Sequence, residues 1–315
     1  RAAGIAAPPV IACLLPGPDA APERPLPSGD TAIPVHRFPE TAAAALAKAA
    51  AHGAWRARPA GTPPALAGVD AGAARRVCDA ALAARGGGWL TAGEVRDVVA
   101  AFGLPIAPGG VAATADDAVR LAEAIGYPVA LKLASHTIVH KTELDAVRLD
   151  LTDAAAVRGA FDAIRDRLAR DGRLADMDGA LVQPMLRGGV EVMAGAAVDP
   201  VFGALVAFGL GGIHVEILGD VTFRVAPLDE ADAAEMIRAI RGFRLLQGYR
   251  GHPAADIDAL AELLLRLSRL VDELPEVAEL DLNPVFARGA GLGCVIADAR
   301  IRLAAPVGAA PVDRR

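Results

Sequence analysis

Apolar positions along the chain follow two rhythms, short β-like runs and longer stretches with helical periodicity. Residues 9–15 form a short apolar run that reads as a buried strand. Residues 16–30 are rich in Pro, Gly and Asp and read as a loop. Residues 32–35 follow as a second strand, and residues 39–55 as a helix with Glu40 in its first turn. Such a series is the tail of a parallel α/β unit whose earlier strands are missing. Residues 56–72, dominated by Ala, Pro and Gly, read as a linker. Beyond it the pattern predicts helices at 73–84, 92–102, 116–125, 153–170, 229–240 and 255–272. Thr91 is the expected N-cap of the second. Strands are predicted at 129–133, 147–151, 179–185, 191–198, 205–208, 279–286 and 294–298. Alternating helices and strands argue for an α/β or α+β fold with helices packed on sheets.

The chain is 53% hydrophobic and 22% charged over 315 residues, enough for a sizeable core and for one large domain or two ordinary ones. Its net charge is −6 with no basic cluster, which excludes nucleic-acid binding by a cationic face. Cys13, Cys78 and Cys294 are odd in number and lack metal-type spacing, so the reading is a reducing, cytoplasmic protein without a disulfide framework. The apolar stretch ending at Cys13 mimics a lipoprotein export signal, but Pro8 and Pro9 interrupt it. No uninterrupted apolar run reaches the roughly 18 residues of a membrane span. A start at Arg1 suggests a piece of a longer chain.

Four places carry chemistry. Lys132 is the one charge in the run 128–133. A lysine in a buried strand is costly without an anionic partner, so it reads as a phosphate contact or as a snorkelling edge-strand residue. His140, followed by Lys141, is either a nucleophile able to accept phosphate, with Glu143 to orient it, or an ordinary loop histidine. His36, His52, His136, His214 and His252 read as structural or surface residues. Gly209, Gly211 and Gly212 follow an apolar strand and suit close backbone approach to an anion, although neither the dinucleotide fingerprint nor the Gly-Lys-Ser/Thr phosphate loop is present. Strand alternation puts Glu279, Asp281 and Asn283 on one face, with Asp298 about one hairpin later. Those oxygens suit Mg²⁺; a polar solvent face is the other reading.

In order, the runs GYPVALK, HKTE, GVEV, FGLGGIHVEILGDVTFR and LDLNP make the chain resemble the ATP-grasp part of the NDP-forming acyl-CoA synthetases, the superfamily that includes succinyl-CoA synthetase. The likeness spans roughly residues 75–303. Residues 1–60 resemble the end of a flavodoxin-like CoA-ligase domain. The resemblance implies a domain at 1–60, a linker at 61–74 and an ATP-grasp domain at 75–310, with a core at about 90–125 and 205–305 and a nucleotide-clamping region at about 126–204. It implies ATP/ADP and Mg²⁺ as cofactors. Lys132 and Gly209, Gly211 and Gly212 would contact phosphates, Gln183 and Met185 would lie along the adenine hinge, and Glu191 would help hold the nucleoside. Asn283 and Asp298 would hold the metal, with Asp281 close by, and His140 would be a mobile phosphohistidine. The implied partners are an upstream CoA-binding domain, in the same chain or a separate subunit, with a carboxylic acid and CoA as substrates; oligomerisation is left open. The chain departs from the family pattern at Asp145-Ala146, where two glycines are usual, and at His136, where proline is. A carboxylate beside a phosphate-handling turn bears on the relay more than on nucleotide binding.

Three functions follow. The first is the nucleotide-binding part of an ADP-forming, acetate-type acyl-CoA synthetase relaying phosphate through His140. The second is a nucleotide- or ligand-sensing regulatory domain of a protein lysine acetyltransferase. The third is a carboxylate–amine ligase, in which His140 has no required role.

Overall fold

The computed structural model describes residues 9–14, 24–57, 61–138, 146–212, 219–249 and 253–304. The chain divides between Gly61 and Thr62 into two units. In the first, β1 (Ala12–Cys13) pairs in parallel with β4 (Val35–His36), and β2 (Leu26–Ser28) forms a hairpin with β3 (Thr31–Ile33). Helix α1 (Pro39–Ala57) follows. Two expectations need correction. The first strand is not buried, since Ala12 is half-buried and Cys13 exposed, and the expected loop contains β2.

The second unit is built on two sheets. The larger runs β12-β11-β10-β13-β15-β5, with β14 also on β13; all its pairings are antiparallel. Its strands are β5 (Gly88–Trp89), β10 (Val190–Asp199), β11 (Gly203–Leu210), β12 (Val221–Val225), β13 (Val277–Ala287), β14 (Cys294–Ile296) and β15 (Ala299–Leu303). The smaller sheet has the order β6-β9-β7-β8, from β6 (Gly110–Ala112), β7 (Val129–Ala134), β8 (Val147–Leu151) and β9 (Gly179–Pro184).

Helices cover one face of each sheet. On the larger sheet alternate residues Val192, Ala194, Val206, Phe208, Leu280, Leu282 and Ile301 are buried in one core. Helix α7 (Ile257–Glu273) packs Leu260, Leu263, Leu264, Leu267 and Leu270 into it, with α2 (Ala71–Arg85), α3 (Ala92–Ala101) and α6 (Glu230–Ala239) alongside. Each such leucine contributes about 1.5–3 kcal/mol through burial. On the smaller sheet Val129, Leu131 and Leu133 meet α4 (Ala115–Ile125) and α5 (Ala154–Arg170) through Ala118, Phe161 and Ile164. The helix starts follow local chemistry. Thr91 caps α3 in a capping box with Glu94, as its sequence predicts, and Asp70, Thr114, Asp153, Asp229 and Asp256 cap the others.

The expected last strand, 294–298, is shorter, and a further strand follows it. Strand β14 ends at Ile296, and β15 starts at Ala299. Asp298 therefore sits in a break between strands rather than at a strand end. Among the described residues no helix is long and apolar enough to cross a membrane.

Candidate active site

Alternation in β7 sends Val129, Leu131 and Leu133 into a core, and Ala130, Lys132 and Ala134 to the opposite face. On that face Lys132 stands beside Leu181 of β9, and Ala130 beside Gln183. The same face meets the β14–β15 corner. There Lys132 Nζ donates to the carbonyl of Ala297 at 2.9 Å, one residue before Asp298. A cleft lies at this junction. Trp89, Leu90, Val95, Ile106, Ile138 and Leu181 form its apolar wall. Its polar groups come from Arg96, Ser135, His136, Gln183, Asp298 and Arg300.

Gln183 is 3% exposed at the end of β9, and the Met185 N–H donates to the Pro128 carbonyl at 3.0 Å, closing the turn behind it. A glycine at 109 lets the opposite loop seat over this strand, since a Cβ there would lie 2.8 Å from Gln183 Cγ. Gln183 thus lines the same cleft as Asp298.

The glycine turn is packed on β10. Gly211 N–H donates to the Glu191 carbonyl at 2.8 Å, and a Cβ on Gly211 would lie 3.0 Å from the Val192 backbone. Gly212 has φ +62°, and a Cβ there would come within 2.9 Å of Glu191 Oε2. Glu191 therefore abuts the glycines. Gly209 faces the Asp220 carbonyl, 2.5 Å from where a Cβ would stand. Asp220 is 6% exposed, and its two oxygens accept the N–H groups of Arg241 and Gly242 at 2.7 Å each. It ties the strand after the glycine turn to the end of α6.

On β13, Leu280 and Leu282 are buried in the core, which leaves Glu279, Asp281 and Asn283 on the other face, as alternation predicts. Glu279 is taken up by Arg302 at 3.1 Å, which sets it apart from the expected oxygen-donor row. Asp281 stands opposite Gly195 on one side and Arg300 on the other. Burial pushes its carboxyl up to about 6; Arg300 opposes the shift, and Asp298 and Glu279 add to it. Asn283 N–H donates to the Asp298 carbonyl at 3.1 Å, so the break between β14 and β15 folds back onto Asn283. Among the described residues no three His, Cys, Asp or Glu side chains gather as metal ligands. The donor set on offer is two carboxylates and an amide oxygen.

His140, Lys141, Glu143 and Asp145 lie outside the described residues, as do His214 and His252. Ala146 is buried, and its carbonyl accepts from Leu133 at 2.9 Å. His136, read as structural or surface, is part-exposed at the cleft, and its Nδ1 and backbone N–H both bind Asp178, at 2.8 and 2.9 Å. Arg96, Arg300 and Trp89 were also missed. Only Arg300 left a trace in the sequence, as a charged residue two positions after Asp298.

The ATP-grasp domain model matches residues 81–303. The chain is 44% identical over 211 residues to the β subunit of acetate–CoA ligase [ADP-forming] II of Pyrococcus furiosus, covering 67% of this chain and 89% of that subunit. It is 41% identical to the 4-hydroxybutyrate–CoA ligase [ADP-forming] of Nitrosopumilus maritimus, covering 67% of this chain but only 30% of that protein. Two structures of an acetyl-coenzyme A synthetase from Ca. Korarchaeum cryptofilum share the fold. One, with coenzyme A and Ca-AMPCP, has a TM-score of 0.69 and 38% identity over 72% of this chain and 99% of that one. The other, with coenzyme A and Mg-AMPPCP and its phosphohistidine segment pointing towards the nucleotide binding site, has a TM-score of 0.63 and 36% identity over 73% and 99%. These relatives lend no support to a sensing module fused to an acetyltransferase. The chain belongs to the ATP-grasp family of the ADP-forming acyl-CoA ligases.

Proposed function

We propose that this chain is the ATP/ADP–Mg²⁺ binding part of an ADP-forming acyl-CoA synthetase of acetate type, and that His140 passes phosphate between the nucleotide and an acyl-phosphate site. The observation that carries this reading is the Lys132–Ala297 contact. It sets a strand-borne ammonium on the carbonyl of Ala297, and Ala297 and its neighbour Asp298, a candidate metal ligand, both line the cleft. Phosphoryl transfer needs positioning and charge neutralisation more than covalent chemistry from the protein.

The donor set fits Mg²⁺, which is held by one or two carboxylates together with substrate phosphates and water. Asp298 and Asn283 would hold it. Asp281, whose proton affinity is raised by burial and neighbouring carboxylates, would lose its proton to a cation there. Bound Mg²⁺ would supply charge neutralisation at the phosphate oxygens. Lys132 would bind the phosphates, the turn at Gln183–Met185 would hold the adenine, and the backbone at Gly209, Gly211 and Gly212 would approach phosphate closely. Glu191, beside those glycines, would help hold the nucleoside. His140 would accept the phosphoryl group at a ring nitrogen as the bond to the nucleotide breaks. A CoA-binding domain or subunit would supply the acyl phosphate, and residues 1–60 would be the end of such a domain.

Reconstitution tests the reading. The chain, its CoA-binding partner, acetate, CoA and Mg-ATP should release ADP as acetyl-CoA forms. Formation of AMP instead, or no turnover with a bound nucleotide, would contradict it.

A further inference from the structure

Residues 135–138 leave β7 and end two positions short of His140, and each of them is tied down. The Asp178 N–H donates to the Ala134 carbonyl at 2.9 Å, at the last register pair of β7 and β9, Ala134 with Gly179. Just beyond it, Asp178 accepts the His136 backbone N–H at 2.9 Å and holds its Nδ1 at 2.8 Å. The Ser135 hydroxyl accepts the N–H groups of Thr137 and Ile138 at 3.2 and 2.9 Å. The Thr137 side chain bonds Asp176, which Arg173 also holds at 2.9 Å. Ile138 is buried in the core of the smaller sheet and lines the cleft as well. Ala146 is buried in the same core, with its carbonyl bonded to Leu133. Covalent geometry turns these ties into a constraint on chemistry. Successive Cα atoms are about 3.8 Å apart, so two steps carry the chain at most about 7.6 Å. The place where Ile138 is held therefore bounds the place of residue 140. A displacement of about 1 Å at a reacting group costs on the order of a hundredfold in rate. The part-exposed pair of His136 and Asp178 adds little to stability, but its two bonds from one carboxylate fix a direction.

We propose that His136 and Asp178 are positioning residues for phosphoryl transfer to His140. Together they fix the point from which the chain bearing His140 departs, and neither binds the phosphate. The step is the one given above: the bond from the γ-phosphorus to the ADP oxygen breaks as the bond to the imidazole nitrogen forms. The proposal rests on that reading of His140.

Single-turnover labelling of the full chain with Mg²⁺ and γ-labelled ATP tests it. Asp178→Ala removes the acceptor of both bonds and should slow labelling of His140 about tenfold to a hundredfold. The ATP concentration giving half the maximal rate, and the affinity for Mg-ADP, should stay at wild-type values. Asp178→Asn should restore most of the rate, because its carboxamide can accept the backbone N–H and donate to the other tautomer of His136. His136→Ala keeps the backbone bond and should fall between the two. Wild-type rates in Asp178→Ala and His136→Ala would overturn the positioning role and leave the role of His140 intact. So would a rise in half-saturating ATP that accounts for the whole loss, or an asparagine variant as slow as the alanine one. A wild type that binds ADP but takes up no label would overturn the reading of His140, and the positioning role with it.

Discussion

Lys132 Nζ and the Ala297 carbonyl, 2.9 Å apart, join the smaller sheet to the strand break that carries Asp298. The ammonium therefore stands where the smaller sheet meets the β14–β15 corner. Lys132→Met should weaken Mg-ADP binding about tenfold to a hundredfold, the loss of one or two hydrogen bonds to charged phosphate oxygens. Calorimetric titration measures it. Unchanged affinity would remove Lys132 from the phosphate site.

Asp281 gives a pH signature. Its carboxyl titrates at about 6 when folded, against an ordinary 3.8. The folded chain thus holds a proton that the unfolded chain has released, so stability falls as pH rises between those values and levels off above them. Asp281→Asn removes this dependence. Without Mg²⁺ it should be more stable than the wild type at pH 7, by on the order of 2 kcal/mol, with the gap closing towards pH 4. Melting curves across pH check this. A variant that stays less stable at pH 7 would show that the carboxylate is well solvated or paired.

Gly211 has no room for a side chain, because a Cβ would lie 3.0 Å from the Val192 backbone. Gly211→Ala should push the glycine turn off β10, costing about 1–3 kcal/mol of stability and weakening nucleotide binding. Urea unfolding with a parallel ADP titration separates the two effects. An alanine variant with wild-type values in both would mean the turn tolerates a shift.

Strong periodicity made much of the fold legible. The β8 strand over Val147–Leu151 and the Thr91 cap match their sequence expectations residue for residue. Strand β12 went unseen because Phe223 and Val225 are exposed on an edge strand, so its apolar residues do not mark a buried face. Strand β15 was hidden by Arg300 and Arg302, which face the acidic residues of β13 rather than water alone. At the site, Lys132 was readable as an oddly placed charge because charge in an apolar run is costly. His136 was not, because its setting depends on Asp178, 42 residues further on and brought beside it only by the pairing of β7 with β9.

Asp220 supports the glycine turn from beneath. Asp220→Ala would leave the part-buried N–H groups of Arg241 and Gly242 without their carboxylate, a loss of about 1–3 kcal/mol. Denaturant unfolding should show it. A change below about 0.5 kcal/mol, the range of a plain surface substitution, would show that water replaces the carboxylate there.

Phosphate transfer to His140 is the claim on which the functional account depends. The most direct measurement incubates the full chain with Mg²⁺ and γ-labelled ATP and assays acid-labile, base-stable label on the protein. Label on the wild type, lost in His140→Asn and reduced in Lys132→Met, is the predicted result. An unlabelled protein that still binds ADP, or label that persists in His140→Asn, would contradict the relay.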